Sequence, residues 1–407
     1  MPLRDLAEAL LARKMQKEVN LGFKNAVNLK DWDAVLAFVA RGADPNIDMG
    51  GEATAIQAAH LSDRLDVARA LLEAGSDPNI EPGPKRDIKT IQRENKECLQ
   101  VLRKYDNRVI DGASALNDMA FACKGYYIGV KLLLAAPGIN VNGIGTDGET
   151  PLSVAAGVGD EAVVQLLLAE PGIDINAPEI LLRRTPLNRA AAEGHEAVVK
   201  LLLALPGIDV NAPAKNGMTP LIYAAWRGHE AVVELLLAAP GIDVNAADTS
   251  GWTALYTATH SDHEAVVKHL LAAPGIDVNE PDTNGLTPLS LAARNNHEGV
   301  VKLLLAAPGI DVNAADTSGW TALTWAAFKG KDALVKVLCA VPEIIVDVAD
   351  VKWWLENPPQ DGYQWGSPAS KYEQDQCVRI LEEFVEAKGG GTQDGLPGVR
   401  PVEAEVP

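Results

Sequence analysis

The sequence predicts an all-α solenoid of stacked helix–turn–helix units joined by β-turn or hairpin fingers. Two observations predict it: the chain comes into register with itself at a shift of 34 residues, and each period holds two short segments with helical spacing of apolar residues. The composition excludes a disordered chain, because 47% of the 407 residues are hydrophobic, although only 5% are aromatic. Repeats of this length build folds in which each unit buries its apolar face only against its neighbours.

Threonine and asparagine define the period. Six threonines open inner helical segments, with one interval of 35 residues and the others of 34: Thr150, Thr185, Thr219, Thr253, Thr287 and Thr321. Six asparagines close the units at the same intervals: Asn142, Asn176, Asn211, Asn245, Asn279 and Asn313. Because both series keep their phase, we predict one repeated unit rather than several unrelated domains.

The unit that begins at Thr219 shows how each element is specified. Thr219 suits an N-cap, and Pro220 suits the first helical turn, where a missing N–H costs nothing. Gly228 ends this inner helix, and an outer helix with a broad apolar face then runs to the Pro-Gly pair at 240–241. The Asp-x-x-Gly sequence over 248–251 predicts a tight turn. Each unit is therefore predicted to be helix, turn, helix and finger.

Several motifs recur in fixed order and phase through this region. They are Asp248-Thr-Ser-Gly-Trp-Thr, Thr219-Pro-Leu, Ala224-Ala225, Gly228-His229 and Val312-Asn313. Together they resemble the ankyrin repeat over roughly residues 25–350. Two features depart from that family. The unit is one residue longer than the common length of about 33, and the His that usually follows Thr-Pro-Leu is replaced, for example by Ile222 and Ser290.

The predicted domain organisation places caps at both ends of the repeats. Residues 1–46 are expected to form an N-terminal capping helix and a half repeat, and residues 47–350 the ankyrin-like repeats. A degenerate or inserted segment is expected at about 81–111, because Asn79 and Asn142 are 63 residues apart. Residues 351–387 are expected to hold an aromatic insertion and a C-terminal capping helix, and 388–407 a disordered tail.

Charge and composition exclude several classes of partner. Asp and Glu number 55 against 36 Lys and Arg, giving a net charge of −19, which disfavours nucleic acid and anionic membrane surfaces. No run of about 18 apolar residues occurs, and no secretory signal is visible. Four cysteines without a C-x-x-C pair fit a reducing compartment. We therefore expect a cytoplasmic monomer without a membrane partner.

No motif predicts catalysis, a cofactor or a metal. The G-x-G-x-x-G match over 143–148 is explained by the finger turn. The repeated histidines are interpreted as caps of the outer helices: His195, His229, His263 and His297. His260, His263 and His269 lie near Asp262, but no nucleophile recurs beside them. An enzyme would need its site in 81–111 or 351–387, where no catalytic constellation is found, so we expect none.

The ankyrin resemblance implies where a partner protein would contact the chain. In that family, partners meet the finger tips and the exposed end of the inner helix. The positions so selected are Met218, Trp226, Arg227, Trp252, His260, Leu286, Arg294, Asn295, Trp320, Phe328 and Lys329. Aromatic residues and Arg, which dominate interface hot spots, are concentrated there. The alternative for Trp252 and Trp320 is that they pack beside neighbouring fingers. The aromatic cluster of the insertion, which includes Trp353, is interpreted as a cover for the last repeat, with a ligand pocket as the alternative.

The finger before Thr185 is unusual. It reads Ile180, Leu181, Leu182, Arg183 and Arg184, with Arg183 where the other fingers have Gly. We expect a distorted, adhesive tip. Ile180, Leu181, Leu182 and Arg184 therefore join the predicted partner-binding residues.

The predicted function is a non-catalytic scaffold for protein–protein interaction. Its concave face and finger tips would bind a partner protein. Because basic residues are concentrated on that face, the expected partner is an acidic segment with apolar or aromatic anchors. The alternative is a stoichiometric regulator or inhibitory subunit of an enzyme on another chain.

Overall fold

The computed structural model describes residues 3–46, 55–62, 64–74, 76, 101, 112–121, 127–136, 138–357 and 369–388. These residues are helical or form turns and loops, with no strand among them. The chain divides into two compact units, Met1–Ala190 and Ala191–Pro407. Among the described residues, none of the helices has the length and hydrophobicity needed to span a bilayer.

Helices of the first unit occur mostly in pairs. They are α1 (Leu3–Asn28), α2 (Trp32–Ala40), α3 (Ala55–Leu61), α4 (Leu65–Glu73), α5 (Gly112–Phe121), α6 (Tyr127–Leu134), α7 (Pro151–Val158) and α8 (Glu161–Leu168). Helix α9 (Pro186–Glu193) contains the boundary between the units. In the pair formed by α7 and α8, α7 is the inner helix and α8 the outer one.

Helices of the second unit continue the same alternation of inner and outer elements. They are α10 (Glu196–Leu203), α11 (Pro220–Arg227), α12 (Glu230–Leu237), α13 (Ala254–His260), α14 (Glu264–Leu271), α15 (Pro288–Asn295), α16 (Glu298–Leu305), α17 (Ala322–Phe328), α18 (Asp332–Cys339), α19 (Val348–Glu356) and α20 (Lys371–Ala387). Inner helices α11, α13, α15 and α17 pack in a row, and outer helices α10, α12, α14, α16 and α18 pack in another. The predicted all-α repeat architecture is confirmed.

The threonine caps and glycine stops are confirmed. Thr219 Oγ1 accepts from the backbone N–H of Ile222 at 3.3 Å, which satisfies a donor in the first turn of α11. Gly228 follows α11 with φ 76°, a left-handed conformation that glycine adopts without steric cost. Asn296 fills the same role after α15 at φ 63°, because Asn tolerates this region better than other residues with side chains.

The repeated histidines do not cap the outer helices, so that prediction is wrong. Each occupies the N-cap position, but its side chain makes no hydrogen bond to the first turn. Three of the rings instead reach a carbonyl oxygen of the preceding repeat: His229 Nε2 to Ala192 at 3.1 Å, His263 Nε2 to Trp226 at 3.1 Å and His297 Nδ1 to Thr259 at 2.8 Å. These histidines link adjacent repeats.

The core consists of small and branched side chains from both rows of helices. Ala224 and Ala225 are fully buried in α11, where their size lets inner helices approach closely. On the outer helix α12, Val232, Val233 and Leu236 are buried. The same positions are buried in the following repeats, so each repeat covers the apolar face of the next.

The asparagines that close the repeats bridge the loops that follow consecutive outer helices. Asn245 Nδ2 donates to the carbonyl of Gly275 at 2.8 Å, and its Oδ1 accepts from the N–H of Asp277 at 2.8 Å. The same pair of bonds is made by Asn142, Asn211, Asn279 and Asn313. Both backbone groups are thereby satisfied by a residue of the preceding repeat.

Helix α1 supplies the corresponding bonds to the loop that follows α2. Gln16 Nε2 donates to the carbonyl of Gly42 at 2.7 Å, and Asn20 Oδ1 accepts from the N–H of Asp44 at 3.0 Å. Helix α1 also packs along α2. These contacts are what an N-terminal cap needs, and the capping role stays a prediction.

At the C-terminal end of the second unit, α19 and α20 pack on the last repeat. Trp354 of α19 is buried with its ring 5.9 Å from that of Trp320, while Trp353 is exposed. Helix α20 packs on α18 and buries Cys377 and Leu381. The other aromatic residues of the predicted insertion, the inserted segment at 81–111 apart from Val101, and the tail from 389 onward lie outside the described residues.

Candidate functional site

Four of the predicted partner-binding residues are buried. Met218, Leu286, Trp320 and Phe328 belong to the core of the second unit, so their predicted surface role is corrected. The Trp320 ring lies 4.6 Å from that of Trp325 and 5.0 Å from that of Phe328, between centroids. The residue after the finger glycine therefore points under the finger rather than away from it.

Trp252 is half-buried and packs within its own repeat. Its ring centroid lies 5.1 Å from that of Tyr256 and 5.1 Å from that of His260, both on α13. Its backbone N–H donates to Asp248 Oδ1 at 2.9 Å, which fixes the finger above it. Trp252 thus supports the exposed His260 ring, and part of its own face remains open to solvent.

Trp226 is exposed at the C-terminal end of α11. Its side chain is 42% accessible, although residues 220–225 of the same helix are all buried. The Arg227 guanidinium lies 4.8 Å from the centre of the Trp226 ring, within cation–π range. The backbone at Trp226 is held in place because its carbonyl accepts a hydrogen bond from the His263 ring.

Arg294, near the end of α15, lies against an aromatic face. Its guanidinium carbon is 5.4 Å from the centre of the Trp325 ring. The two residues line an open cleft together with Asp282 and Asp316. No ion pair of Arg294 is found within the part of the chain that the structure describes.

The two aspartates of this cleft are engaged in holding the fingers. Asp282 accepts from the Tyr256 hydroxyl at 3.0 Å and from two backbone N–H groups of its own finger. Asp316 accepts from Trp325 Nε1 at 3.2 Å and likewise from its own finger. Burial raises the pKa of Asp316, and these hydrogen bonds oppose the rise.

Arg294 places positive charge beside two other ionisable groups. Partial burial lowers the pKa of His260, and the charge of Arg294 lowers it further. Partial burial also lowers the pKa of Lys329, and the charge of Arg294 lowers it further. We call Trp226, Arg227, His260, Arg294 and Lys329 the inner-helix strip, because they lie at or directly after the C-terminal ends of four inner helices that pack side by side. Asn295 lies half-buried beside Arg294.

In the first unit, the finger before Thr185 exposes an apolar tip. The side chains of Ile180, Leu181 and Leu182 are 60%, 68% and 49% accessible. This finger closes with a hydrogen bond from the N–H of Glu179 to the carbonyl of Arg184, at 3.0 Å, spanning one residue more than the bond from Ala214 to Met218. The extra residue accounts for the single interval of 35 between threonines.

Arg183 stands where the other fingers have glycine, and it has the backbone conformation of that glycine. Its φ is 54°, in the left-handed region that Gly217 and Gly251 occupy in their own fingers. This conformation is unfavourable for a residue with a Cβ. The turn is therefore retained here without its glycine.

Arg184 is committed to the base of the finger, which corrects its predicted role in partner binding. It pairs with Glu179, whose side chain is buried, and Arg189 Nη1 lies 2.6 Å from Glu149 Oε1 and 3.5 Å from Glu179 Oε2. Burial raises the pKa of Glu149, and the charge of Arg189 opposes that rise. The four groups carry two charges of each sign and give no net positive charge to this face.

This ion network was missed at the sequence level. One signal was present, because Glu179 occupies the first finger position, where Asp248, Asp282 and Asp316 stand in other repeats. An acid at that position accepts hydrogen bonds inside the finger. Here the longer side chain of Glu179 reaches an arginine instead.

Comparison with known families decides the classification. The family model described as ankyrin repeats in three copies matches residues 88–179, 178–248, 246–316 and 275–352, more than half of the chain. The chain belongs to the ankyrin-repeat family. The match ends at residue 352, close to the end near residue 350 that the motifs predicted. It begins at residue 88, later than the predicted start near residue 25. Comparison with curated proteins gives no significant match.

Ankyrin repeats are generally modules for protein–protein interaction and are typically non-catalytic. In this ankyrin chain, the exposed residues at the predicted contact positions are Trp226, Arg227 and His260, with Arg294, Asn295, Lys329 and Trp252 half-buried beside them. The apolar tip of the first unit is a separate exposed feature.

Proposed function

We propose that this ankyrin-repeat protein is a non-catalytic binding protein that holds an acidic segment of a partner along the inner-helix strip. The observation that carries the proposal is the exposed Trp226 ring with the Arg227 guanidinium 4.8 Å from its centre. Trp and Arg are the residues most enriched among interface hot spots. Their pairing at a helix end offers a partner both apolar area and hydrogen-bond donors.

The charge distribution supports an acidic partner. The chain carries a net charge of −19, yet Arg227, Arg294 and Lys329 are cationic and His260 can become so. Exposed acids such as Glu230 stand instead at the start of outer helices. An approaching carboxylate would be repelled by those helices and attracted to the strip.

Arg294 is the residue best arranged to bind a carboxylate. Its guanidinium is oriented by the Trp325 ring, and the oxygens of Asp282 and Asp316 already accept hydrogen bonds from other groups. A preoriented guanidinium loses little freedom when it forms a bidentate pair with a carboxylate. The partner segment would therefore place a Glu or Asp at Arg294 and an aromatic or apolar side chain at Trp226.

The apolar tip of the first unit is proposed as a second contact. Three adjacent exposed apolar side chains are costly to leave in water, and the ion network beneath them holds the finger in place. This contact is independent of the inner-helix strip, and the two can be tested separately.

The experiment compares binding by three forms of the full chain. Arrayed peptides rich in Glu and Asp, with and without aromatic anchors, are offered to the wild type, to a Trp226→Ala, Arg227→Ala, Arg294→Ala triple variant, and to a Lys200→Ala, Lys302→Ala control. The control also removes two positive charges, but it removes them from outer helices. Binding that is strongest for anchored acidic peptides and lost only in the triple variant supports the proposal. Equal binding by the wild type and the triple variant overturns it.

A further inference from the structure

Two outer helices of the second unit depart from the repeat at specific positions. In α10, α14 and α16, a glutamate is followed four residues later by a lysine; Lys302 Nζ lies 2.6 Å from Glu298 Oε1 and Lys200 likewise pairs with Glu196. In α12 the corresponding residues are Glu230 and Glu234, so the lysine has been replaced by a second acid.

The second departure is on α14. His269 stands where the neighbouring outer helices carry a leucine: Leu201, Leu235 and Leu303. Leucine at this position lies half-buried between outer helices. A histidine there gives up apolar contact and introduces a ring nitrogen.

The two departures meet in space. His269 Nε2 lies 2.8 Å from Glu230 Oε1 and 3.3 Å from Glu234 Oε1. One ligand atom from each of the three residues lies within 4.8 Å of the others. We call Glu230, Glu234 and His269 the Glu–Glu–His cluster. It joins α12 to α14, which pack against each other.

We propose that the Glu–Glu–His cluster binds a divalent transition metal, with Zn²⁺ as the ion to test. Zinc is held by imidazole nitrogen and carboxylate oxygen at about 2.0–2.2 Å, which brings ligand atoms to roughly the separations found here. Glutamates four residues apart lie on one face of a helix and can both reach the ion. The side chains are 54%, 57% and 30% accessible, so water can complete the coordination.

Charge balance supports a metal rather than a simple ion pair. Two carboxylates four residues apart repel each other on α12, where a lysine balances the glutamate in other repeats. A protonated histidine supplies one positive charge, whereas a divalent ion with a neutral imidazole supplies two. Imidazole among the ligands favours Zn²⁺ and similar ions over Mg²⁺ or Ca²⁺, which prefer oxygen.

The chain itself provides the control variants. Glu234→Lys and His269→Leu each restore the residue present in neighbouring repeats, so both are expected to fold. Glu298→Gln removes an equivalent glutamate of α16 and leaves the cluster intact. The site lies on outer helices and does not involve the inner-helix strip, so its failure would leave the proposed partner binding unaffected.

The test is calorimetric titration of the EDTA-treated full chain with zinc chloride. We expect one equivalent of Zn²⁺ to bind the wild type and Glu298→Gln, and the affinity for that equivalent to fall about tenfold or more in Glu234→Lys and in His269→Leu. Zinc should also raise the thermal unfolding midpoint of the wild type more than that of either variant. Zinc binding that is absent from the wild type, or unchanged in both variants, overturns the proposal.

Discussion

The Arg184 guanidinium donates to both carboxylate oxygens of Glu179, with 2.6 Å from Nε to Oε1 and 3.2 Å from Nη2 to Oε2. The Glu179 side chain is only 4% accessible and lies at the base of a finger whose tip is apolar and exposed. Charged groups therefore hold this finger from below. Its apolar side chains remain available to solvent or to another protein.

Loss of Arg184 should destabilise the first unit. Arg184→Ala leaves a buried carboxylate with only the more distant Arg189, and we expect the free energy of unfolding to fall by about 3 kcal/mol. Urea unfolding followed by circular dichroism measures the change. The neighbouring variant Arg183→Ala, at an exposed position, serves as the control and should change stability little. If the two variants lose equal stability, the ion pair does not hold the finger.

The asparagine bridges should stabilise the contact between repeats. Asn245→Ala removes the bonds to Gly275 and Asp277, and each such bond contributes about 1 kcal/mol. Asn245→Asp should fall between the wild type and Ala, because a carboxylate keeps the acceptor but loses the donor. Chemical denaturation of the three proteins tests this order, with the exposed Thr283→Ala as a control. A neutral Asn245→Ala would contradict it.

Asp66 should remain ionised to a lower pH than an ordinary aspartate. Arg64 donates two hydrogen bonds to its carboxylate, at 2.8 and 2.7 Å, and these lower its pKa from 3.8 to about 2. Because the folded pKa lies below the unfolded one, this pair stabilises the fold above pH 3.8 and the contribution is lost as pH falls through about 2. Carbon-13 NMR titration of the Asp66 carboxyl measures its pKa.

The matched variant for this titration is Arg64→Ala. It removes the donor and should return the Asp66 pKa towards 3.8. Lys in place of Arg64 keeps the charge but not the paired geometry, and should give an intermediate pKa. An Asp66 pKa that is the same in all three proteins would assign the shift to another cause.

Cys339 and Cys377 should be unreactive in the folded protein. Burial raises the pKa of both thiols to about 11. The thiolate is the reactive form, so at about pH 8 roughly one thiol in a thousand would be ionised. We expect iodoacetamide to label neither residue until the chain is unfolded by guanidinium, as measured by peptide mass spectrometry. Labelling at the same rate before and after unfolding would contradict this prediction.

Features set by local chemistry could be predicted from the sequence. The hydroxyl of Thr219 and the missing Cβ of Gly228 determine where α11 begins and ends, whatever surrounds the helix. The histidines show the limit of that reasoning. His263 was expected to cap its own helix, but its ring reaches a carbonyl of the preceding repeat. Only the packing of one repeat on the next brings that carbonyl near.

Exposure at the candidate site depended on neighbours rather than on position in the repeat. Trp226 and Phe328 end equivalent inner helices, yet Trp226 is exposed and Phe328 is buried. The difference arises because Phe328 packs against Trp320, and the segment leading into α20 bonds to the Phe328 carbonyl. A repeat pattern assigns both residues the same role, since it carries no information about what covers the last repeat.

The single added residue before Thr185 leaves the start of the next helix undisturbed, because Thr185 Oγ1 still accepts from the N–H of Asn188 at 3.3 Å. Loop tips in this architecture can thus lengthen without shifting the register of the paired helices. We therefore expect foreign loops grafted at such tips to alter binding specificity at little cost in folding.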